Sequence, residues 1–479
     1  MKKALKHLDW VSLAAILILA LILRLYKIDN PIADWHSWRQ ADTAAVTRVF
    51  SQQGIDLLHP RFEDISSVPS GKDNPNGYRM VEFPLFNLLH LGVYRLDPKL
   101  GIDKAGRLTS VISSLLSIIF LFLIVKKLSG KLLAITTAFL LAVMPFSVFY
   151  SRVVLPEPLM TTLLLISFYL FLQTSRLTFW LSAVFLAAAL LTKPYALFFT
   201  LPYLFWWWSH RKEKRFSLIS MFAFVAVALA PLGVWRLWIK QFPAGIPASD
   251  WLYNNLGIRL RPAWFRWLFG ERYGKLILGY WGLVPLGFGL LALSKLDGWI
   301  YRGLVIGVLA YLTVFAGGNV QHDYYQAITM PVVAIITAVG FLELVRPKSG
   351  LNRPMGVLLA GFSLFLMLFL SWYEIRGYYQ INNPVIVEAG MAADRVLPRS
   401  ARVIAPYNGD TAFLYQTNRF GWPVINTDLA TMVANQKEVY FVSVNFDDQT
   451  NGIIKDPRHQ VVERNNKWVI VKLFTSSPI

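Results

Sequence analysis

Four ionisable side chains stand close together just after the first long apolar run of the chain: Asp34, His36, Arg39 and Asp42, in the stretch "DWHSWRQAD". A carboxylate or an imidazole here could take a proton from an attacking hydroxyl or amine, and an arginine could bind a phosphate. Arg39 and Asp42 are three positions apart, so on a helix they would form a surface ion pair. The tryptophans between them are typical of a membrane interface, but the density of charge favours a site for a polar head group.

Glu82 is a second candidate, in the stretch "MVEFPLF". It precedes a short apolar segment, 83–96, where an acid is costly unless it is paired or solvated. The sequence therefore leaves two interpretations open, a binding residue or an ordinary acid at an interface.

Arg152 and Glu157, in "FYSRVVLPEPLM", are the only charged residues between Lys131 and Arg176. Prolines flank Glu157 on both sides, which predicts a backbone that is not simply helical. Ionisable residues at membrane depth indicate function by default. The alternative is an Arg–Glu pair that serves packing.

Two further stretches carry polar groups between apolar segments. Lys193, in "LLTKPYALFF", could snorkel to an interface or hold a phosphate as a point charge. The stretch "GGNVQHDYYQ" supplies His322 and Tyr324 as hydrogen-bond donors. His322 beside Asp323 also suggests a metal ligand, although one such pair does not establish a metal site.

The elements that position these residues are predicted to be membrane-spanning helices. Hydrophobic residues make up 55% of the chain, charged residues only 16%, and the mean hydropathy is +0.45. Many segments approach the roughly 20 apolar residues that cross a bilayer. We predict a polytopic α-helical membrane protein with about eleven transmembrane helices, at 9–28, 107–125, 132–150, 158–173, 177–192, 194–209, 216–240, 276–294, 299–316, 325–345 and 354–373.

The basic residues predict how these helices are oriented. Short basic loops at 126–131, 210–215 and 346–353, together with Lys2, Lys3 and Lys6, are expected in the cytoplasm by the positive-inside rule. The segment 83–96 is then an interfacial or re-entrant helix within one long outer loop, 29–106. Because the net charge of +19 falls largely in such loops, it does not indicate a nucleic-acid partner. The chain has no cysteine, which excludes disulfides and thiolate chemistry.

The C-terminal part of the sequence has a different character. Three short β-type runs, "SARVIAPY", "KEVYFVSV" and "KWVIVKLF", follow a helical pattern in "PVIVEAGMAADRVLP". We predict a transmembrane catalytic domain, 1–375, and a small soluble extracytoplasmic α/β domain, 376–479.

Acids, a histidine and cations above an apolar bundle suit a substrate with a lipid tail, a phosphate and a polar group. The tail would lie among the helices, and the phosphate would contact Lys193 and an arginine, with Arg39 and Arg152 as candidates. Sugar transfer from a lipid phosphate fits this arrangement. It requires that a cation or a metal stabilise the charge that develops on the leaving phosphate.

The order of the stretches "WRQAD", "EFPLF", "KKLSGK", "SRVVLPEPLM" and "LTKP", with Arg107 opening a span, resembles a known family. It is similar to the lipid-linked sugar transferases of the GT-C fold in glycosyltransferase family 39, which includes protein O-mannosyltransferases and lipid A aminoarabinose transferases. The resemblance covers about 8–345. It implies a polyprenyl-phosphate sugar donor, inversion at the anomeric carbon, and a lipid A-like, glycan or protein acceptor at the extracytoplasmic face of the cytoplasmic (inner) membrane.

The resemblance also implies roles for single residues. The first loop of the family has a catalytic acid three positions before an arginine that corresponds to Arg39. Here that position is His36, with Ser37 where a second acid is common. Asp34, His36 and Asp42 therefore all stay candidates for the general base, and we favour an acid over His36.

The other implied roles concern binding. Glu82 is similar to a loop acid of the family, and Glu157 to an acid that organises donor or acceptor. Lys193 is similar to a lysine that contacts the lipid phosphate, while His322 and Tyr324 fall in a loop near that phosphate. A divalent metal (Mg, Mn or Zn) stays open as a cofactor, since only some GT-C enzymes use one.

Two other classes of protein have to be weighed against a transferase. A transporter or flippase of lipid-linked sugars would show paired repeats with broken helices. A non-catalytic scaffold would not need acids clustered with cations. The sequence favours the transferase on both grounds.

Overall fold

The computed structural model describes residues 8–213, 216–254, 257–296, 298–346, 352–425, 429–434 and 436–474. Lys2, Lys3 and Lys6, the end of the basic loop 210–215 and most of the loop 346–353 lie outside the described residues. By its internal contacts the chain divides into two compact units. The helical unit comprises Met1–Ile28, Arg107–Arg236 and Ser249–Tyr379, and the mixed unit comprises Asp29–Gly106, Leu237–Ala248 and Gln380–Ile479.

The α-helices of the described chain follow one another with mostly short connections. In chain order they are α1 Leu8–Arg24, α2 Ser37–Gln53, α3 Leu85–Leu96, α4 Gly101–Ser129, α5 Lys131–Val143, α6 Pro145–Tyr150, α7 Glu157–Phe171, α8 Arg176–Thr192, α9 Leu201–His210, α10 Leu218–Trp238, α11 Asp250–Tyr253, α12 Pro262–Phe265, α13 Leu283–Ala292, α14 Gly298–Val314, α15 Ala316–Gln321, α16 Met330–Leu344, α17 Arg353–Ile375, α18 Pro384–Val396, α19 Thr411–Gln416, α20 Leu429–Ala434 and α21 Asp448–Lys455. A π-helix, Arg266–Ile277, and 3₁₀ turns at Pro194–Phe199 and Asp323–Thr329 extend several of them.

Each of the eleven predicted apolar segments contains a helix, but a count of eleven membrane spans is not confirmed. Within the described residues, four helical stretches are long and apolar enough to cross a membrane: Pro98–Ser129, Leu218–Gln241, Asp323–Leu344 and Arg353–Val396. Five shorter apolar helices accompany them. One reason why fewer long helices are found is visible in the segment 132–150. Pro145 starts a separate helix there, because proline cannot donate the backbone hydrogen bond that would continue α5.

The prediction that Glu157 is not helical is wrong. Helix α7 begins at Glu157 and has Pro158 in its first turn. Backbone N–H groups of the first turn have no partner within a helix, so proline is tolerated there. Glu157 also gains from this position, since a carboxylate in the first turn interacts favourably with the helix dipole.

Glycines set the spacing of the central helices in the helical unit. A Cβ atom on Gly340 would lie 1.6 Å from the carbonyl oxygen of Pro285, and one on Gly289 would lie 1.9 Å from that of Ile336. Helices α13 and α16 therefore pack at a distance that only glycine permits. Helix α16 is buried along almost its whole length, whereas α10 and α17 expose large apolar side chains such as Ile219 and Leu358, as helices facing lipid do.

The C-terminal part of the mixed unit contains a five-stranded sheet in the order β2-β1-β3-β5-β4. Its strands are β1 Arg402–Ile404, β2 Gly421–Trp422, β3 Val439–Ser443, β4 Gln460–Arg464 and β5 Val469–Leu473. Strand β1 pairs in parallel with β2 and β3, and β5 pairs antiparallel with β3 and β4. The three predicted β-type runs contain β1, β3 and β5. The short β2 and the mostly exposed β4 were not expected, because β2 has only two residues and β4 has no buried face.

The first loop joins this sheet. The Gly421 N–H donates to the Glu63 carbonyl at 2.9 Å, and the Ile65 N–H donates to the Gly421 carbonyl at 2.9 Å. The predicted short helix in 83–96 is present as α3, and Asn87 ties it to α2 by donating to the Thr43 carbonyl at 2.7 Å. By contacts the loop 29–106 groups with the C-terminal segment, and the domains 1–375 and 376–479 stay a prediction.

Candidate functional site

The first-loop candidates surround the start of α2 in the mixed unit. His36 caps this helix in a left-handed conformation, with φ 54° and ψ 38°, and is partly exposed. Asp34 is fully buried, and its Oδ1 accepts a hydrogen bond from Gln40 Nε2 at 2.7 Å. The irregular backbone at His36 thus places a buried acid and a more accessible imidazole two residues apart.

Arg39 and Asp42 do not form the expected surface pair. Arg39 contacts Glu82 in an ion pair, whereas the carboxylate of Asp42 accepts from Arg79 at 2.7 Å and from the Thr411 hydroxyl at 2.6 Å. The physical reason is the burial of α2 on nearly all sides, because a buried charge needs close partners and takes them from the elements packed around it.

Sequence reasoning missed two more acids beside Asp42. Glu63 and Asp64 line the same small cavity as Asp42, between α2 and α19. Glu63 pairs with Arg48 at 2.9 Å, and Asp64 accepts from the backbone N–H of Ser66 at 2.8 Å. Burial raises the pKa of Asp64 to about 6. The adjacent pair "ED" in the loop was the only local signal, and it does not reveal burial.

Glu157 and Lys193 meet in the helical unit. The Lys193 Nζ lies 3.0 Å from the Glu157 Oε1, and both side chains are buried. Glu157 begins α7, and Lys193 directly follows α8 in an extended conformation because Pro194 disfavours helix at the residue before it. The two prolines next to these charges, in "PEP" and "TKP", therefore help to set up the ion pair.

Two of the contacts that fix Arg152 are with a backbone carbonyl and an aromatic ring. Its guanidinium donates to the Lys27 carbonyl at 2.6 Å and lies over the ring of Tyr379, 4.9 Å from the ring centre. The side chain is fully buried. This environment is that of a packed arginine in contact with an aromatic face.

Asp323 organises the loop that contains His322 and Tyr324, although the sequence analysis named it only as the neighbour of His322. The carboxylate of Asp323 accepts hydrogen bonds from the hydroxyls of Tyr150 and Tyr378, at 2.5 and 2.6 Å. The partly exposed ring of His322 stacks on that of Tyr324 with 5.4 Å between ring centres. Asp323 thus anchors the loop on α6, while His322 stays at its surface.

Two adjoining pockets lie inside the helical unit. The polar pocket is lined by Ser114, Ser117, Leu141, Ser147, Tyr150, Ser151, Glu157, Pro158, Thr161, Ala327, Met330 and Pro331. The apolar pocket shares Thr161 and Pro331 with it and is otherwise lined mainly by leucine, isoleucine and aromatic residues. A compartment lined by several hydroxyl groups, with Glu157 of the ion pair at its wall, therefore adjoins a hydrocarbon-like compartment.

Among the residues that the structure describes, no three His, Asp or Glu side chains come together as a metal site. That His322 and Asp323 bind a metal ion stays a prediction.

Comparisons with known proteins identify the fold. Residues 100–238 match the family model of dolichyl-phosphate-mannose-protein mannosyltransferases. The structure of ArnT from Cupriavidus metallidurans bound to undecaprenyl phosphate superimposes with a TM-score of 0.65 at 14% identity, and covers 98% of each chain. The chain has the GT-C fold. The predicted resemblance to the GT-C sugar transferases is thereby confirmed.

Two further structures agree with this fold. ArnT from the same organism in the apo state has a TM-score of 0.67 at 13% identity, over 97% of this chain and 98% of that one. The archaeal oligosaccharyltransferase AglB from Archaeoglobus fulgidus, in complex with an inhibitory peptide and a dolichol-phosphate, has a TM-score of 0.59 at 12% identity, over 91% of this chain and 69% of that one. A comparison with curated protein sequences finds no match.

Proposed function

We propose that this protein is an integral-membrane glycosyltransferase that moves a sugar from a polyprenyl-phosphate donor to an acceptor. The observation that carries the proposal is the pair of adjoining pockets in the helical unit, one polar with Glu157 at its wall and one apolar. A polyprenyl phosphate has the same division into a charged head and a hydrocarbon tail. The similar structures support this ligand class, since one holds undecaprenyl phosphate and another a dolichol-phosphate.

In this proposal the tail lies in the apolar pocket and the phosphate lies in the polar pocket. The bond between the anomeric carbon and the phosphate oxygen breaks during transfer, so negative charge develops on the leaving phosphate. A cation fixed in a site that excludes water stabilises such charge strongly. Lys193 supplies that cation, and Glu157, 3.0 Å away, holds its ammonium group in place.

The acceptor hydroxyl or amine loses its proton to a base. Both carboxylate oxygens of Asp42 are engaged, by Arg79 and by Thr411, which makes Asp42 a poor base. Of Asp34 and His36 we propose Asp34, in keeping with the preference for an acid. Direct attack on the anomeric carbon then inverts its configuration.

We place the reaction at the extracytoplasmic face of the cytoplasmic (inner) membrane, with a lipid A-like lipid, a glycan or a protein as acceptor. The apolar helices and the membrane enzymes of the same fold support this location. Surrounding membrane lipids are the other expected partners.

A mass spectrum of the purified protein under native conditions tests the donor class. We expect a co-purified or added polyprenyl phosphate to stay bound to the wild type. Thr161 lines both pockets, so Thr161→Phe should obstruct the passage between them and remove the bound lipid. Thr136→Phe is the matched control, because Thr136 lies on α5 outside both linings. Equal lipid binding in the two variants would contradict the assignment of the pockets.

A flippase for lipid-linked sugars is the alternative. Sugar transfer in detergent solution, without a membrane to cross, separates the two functions. We expect the acceptor to become glycosylated, whereas a protein that only moves lipid leaves donor and acceptor unchanged.

A further inference from the structure

Arg24 is a buried cation behind the wall of the polar pocket. It ends α1, its side chain is fully buried, and no carboxylate lies within ion-pair distance of it in the part of the chain that the structure describes. Lys193 differs in this respect, because its charge is balanced by Glu157. A guanidinium keeps its charge in proteins, so a positive charge that no described side chain neutralises lies behind the wall of this pocket.

The Arg24 guanidinium donates both to backbone carbonyls and to serine hydroxyls. Its Nη1 donates to the carbonyl of Ala142 at 2.9 Å and its Nη2 to that of Leu141 at 3.2 Å, near the C-terminal end of α5. Its Nε donates to the hydroxyl oxygens of Ser114 and Ser151, at 2.9 and 2.7 Å. Leu141, Ser114 and Ser151 all line the polar pocket. Arg24 therefore stands directly behind this wall.

The two serines do not have the same freedom to donate. The Ser151 hydroxyl donates to the Val148 carbonyl at 3.3 Å. The Ser114 hydroxyl accepts from Arg24 and donates to no protein group among the described residues. Its hydrogen is available to a ligand in the pocket, and its O–H is polarised by the cation that it binds.

We infer that Arg24 is a positioning residue for the phosphate of the lipid-linked donor, acting through the Ser114 hydroxyl. A phosphate oxygen that accepts from Ser114 would receive a hydrogen bond strengthened by the guanidinium behind it, and would supply the negative charge that this wall lacks. The inference rests on the proposed function and adds to it a second cation besides Lys193. A purely structural role, satisfying the last carbonyls of α5, is the competing explanation.

Binding of undecaprenyl phosphate, titrated by native mass spectrometry, tests the inference, with undecaprenol as a probe that lacks the phosphate. We expect Ser114→Ala to weaken undecaprenyl phosphate binding about tenfold, as the loss of a hydrogen bond to a charged group does, and to leave undecaprenol binding unchanged. Ser114→Thr should restore it, since the hydroxyl returns. Ser113→Ala is the matched control on the same helix, because the Ser113 hydroxyl donates to the Thr109 carbonyl and does not line the pocket.

The variant Arg24→Lys provides a second test of the same inference. It keeps the charge but loses the Nε–H that contacts both serines, so we expect weaker binding of the phosphate probe and a raised KM for the donor at similar kcat. If the wild type binds undecaprenyl phosphate but Ser114→Ala binds it equally well, the role of Arg24 and Ser114 is refuted while the proposed function stands. If the wild type binds neither probe, the proposed function itself fails. Should Arg24→Lys not fold, the Ser114 variants decide.

Discussion

The ion pair of Glu157 with Lys193 permits a decisive test, because a structural and a catalytic role predict different results for the double variant. The perturbations are Glu157→Gln, Lys193→Met and their combination. At 3.0 Å the attraction between the two charges is about 5.5 kcal/mol for an effective dielectric constant of about 20. Removing one partner leaves the other charge buried and costs about 3–5 kcal/mol of unfolding free energy, whereas removing both is roughly neutral.

Two assays are read together. Thermal unfolding in detergent, followed by tryptophan fluorescence, should show a clear loss of stability in each single variant and recovery in the double variant. Sugar transfer should fall by about a hundredfold or more in all three, because the cation opposite the leaving phosphate is lost or displaced. Lys275→Met is the control, since the pair of Lys275 with Glu374, at 3.2 Å, is partly exposed and contributes only about 0–1 kcal/mol.

The refuting result is specific. If the double variant regains both stability and turnover, the pair only packs α7 against α8 and Lys193 does not act on the phosphate. If the single variants are as stable as the wild type, the buried pair does not have the energy assigned to it.

Three other predictions follow from the same structure. Burial raises the pKa of Asp64 from 3.8 to about 6, so the folded protein binds this proton more tightly than the unfolded chain does. The free energy of unfolding should therefore fall as the pH rises from about 4 to 6. In melting curves recorded against pH, Asp64→Asn should remove about 3 kcal/mol of that fall. Asp34→Asn should lose most turnover at every pH from 5 to 9, whereas His36→Ala should retain it; the reverse outcome would make His36 the base. Treatment with EDTA should leave transfer unchanged if Lys193 is the sole electrophile, and a loss that Mg²⁺, Mn²⁺ or Zn²⁺ restores would instead establish a metal cofactor.

Parts of this architecture were predictable because they depend on local composition. Long apolar runs become helices wherever they lie, so each predicted segment contains one. The β-type runs in the C-terminal part become β1, β3 and β5 because alternating branched residues suit a half-buried sheet. The wrong prediction that Glu157 is not helical also has a local cause. A proline interrupts a helix in its interior but is tolerated in the first turn, and Pro158 lies in the first turn of α7.

The partners of the charged residues were not predictable in the same way. Arg39 selects Glu82, 43 residues away, over Asp42 on its own helix, and Asp42 binds Thr411, 369 residues away. In the sequence Arg24 is only a polar residue near the end of the first apolar segment. Its relation to the polar pocket is visible only in its contacts with Ser114 and Ser151.

The sequence by itself determined the class of the protein, the kinds of reactive groups and the order in which the chain presents them. These follow from hydropathy, charge and proline placement, each of which acts over a few residues. The tertiary structure alone decided which charges are neutralised and which are not, because a buried ion takes its partners from whatever elements pack around it. That choice leaves Lys193 balanced by Glu157 and Arg24 without an acid among the described residues.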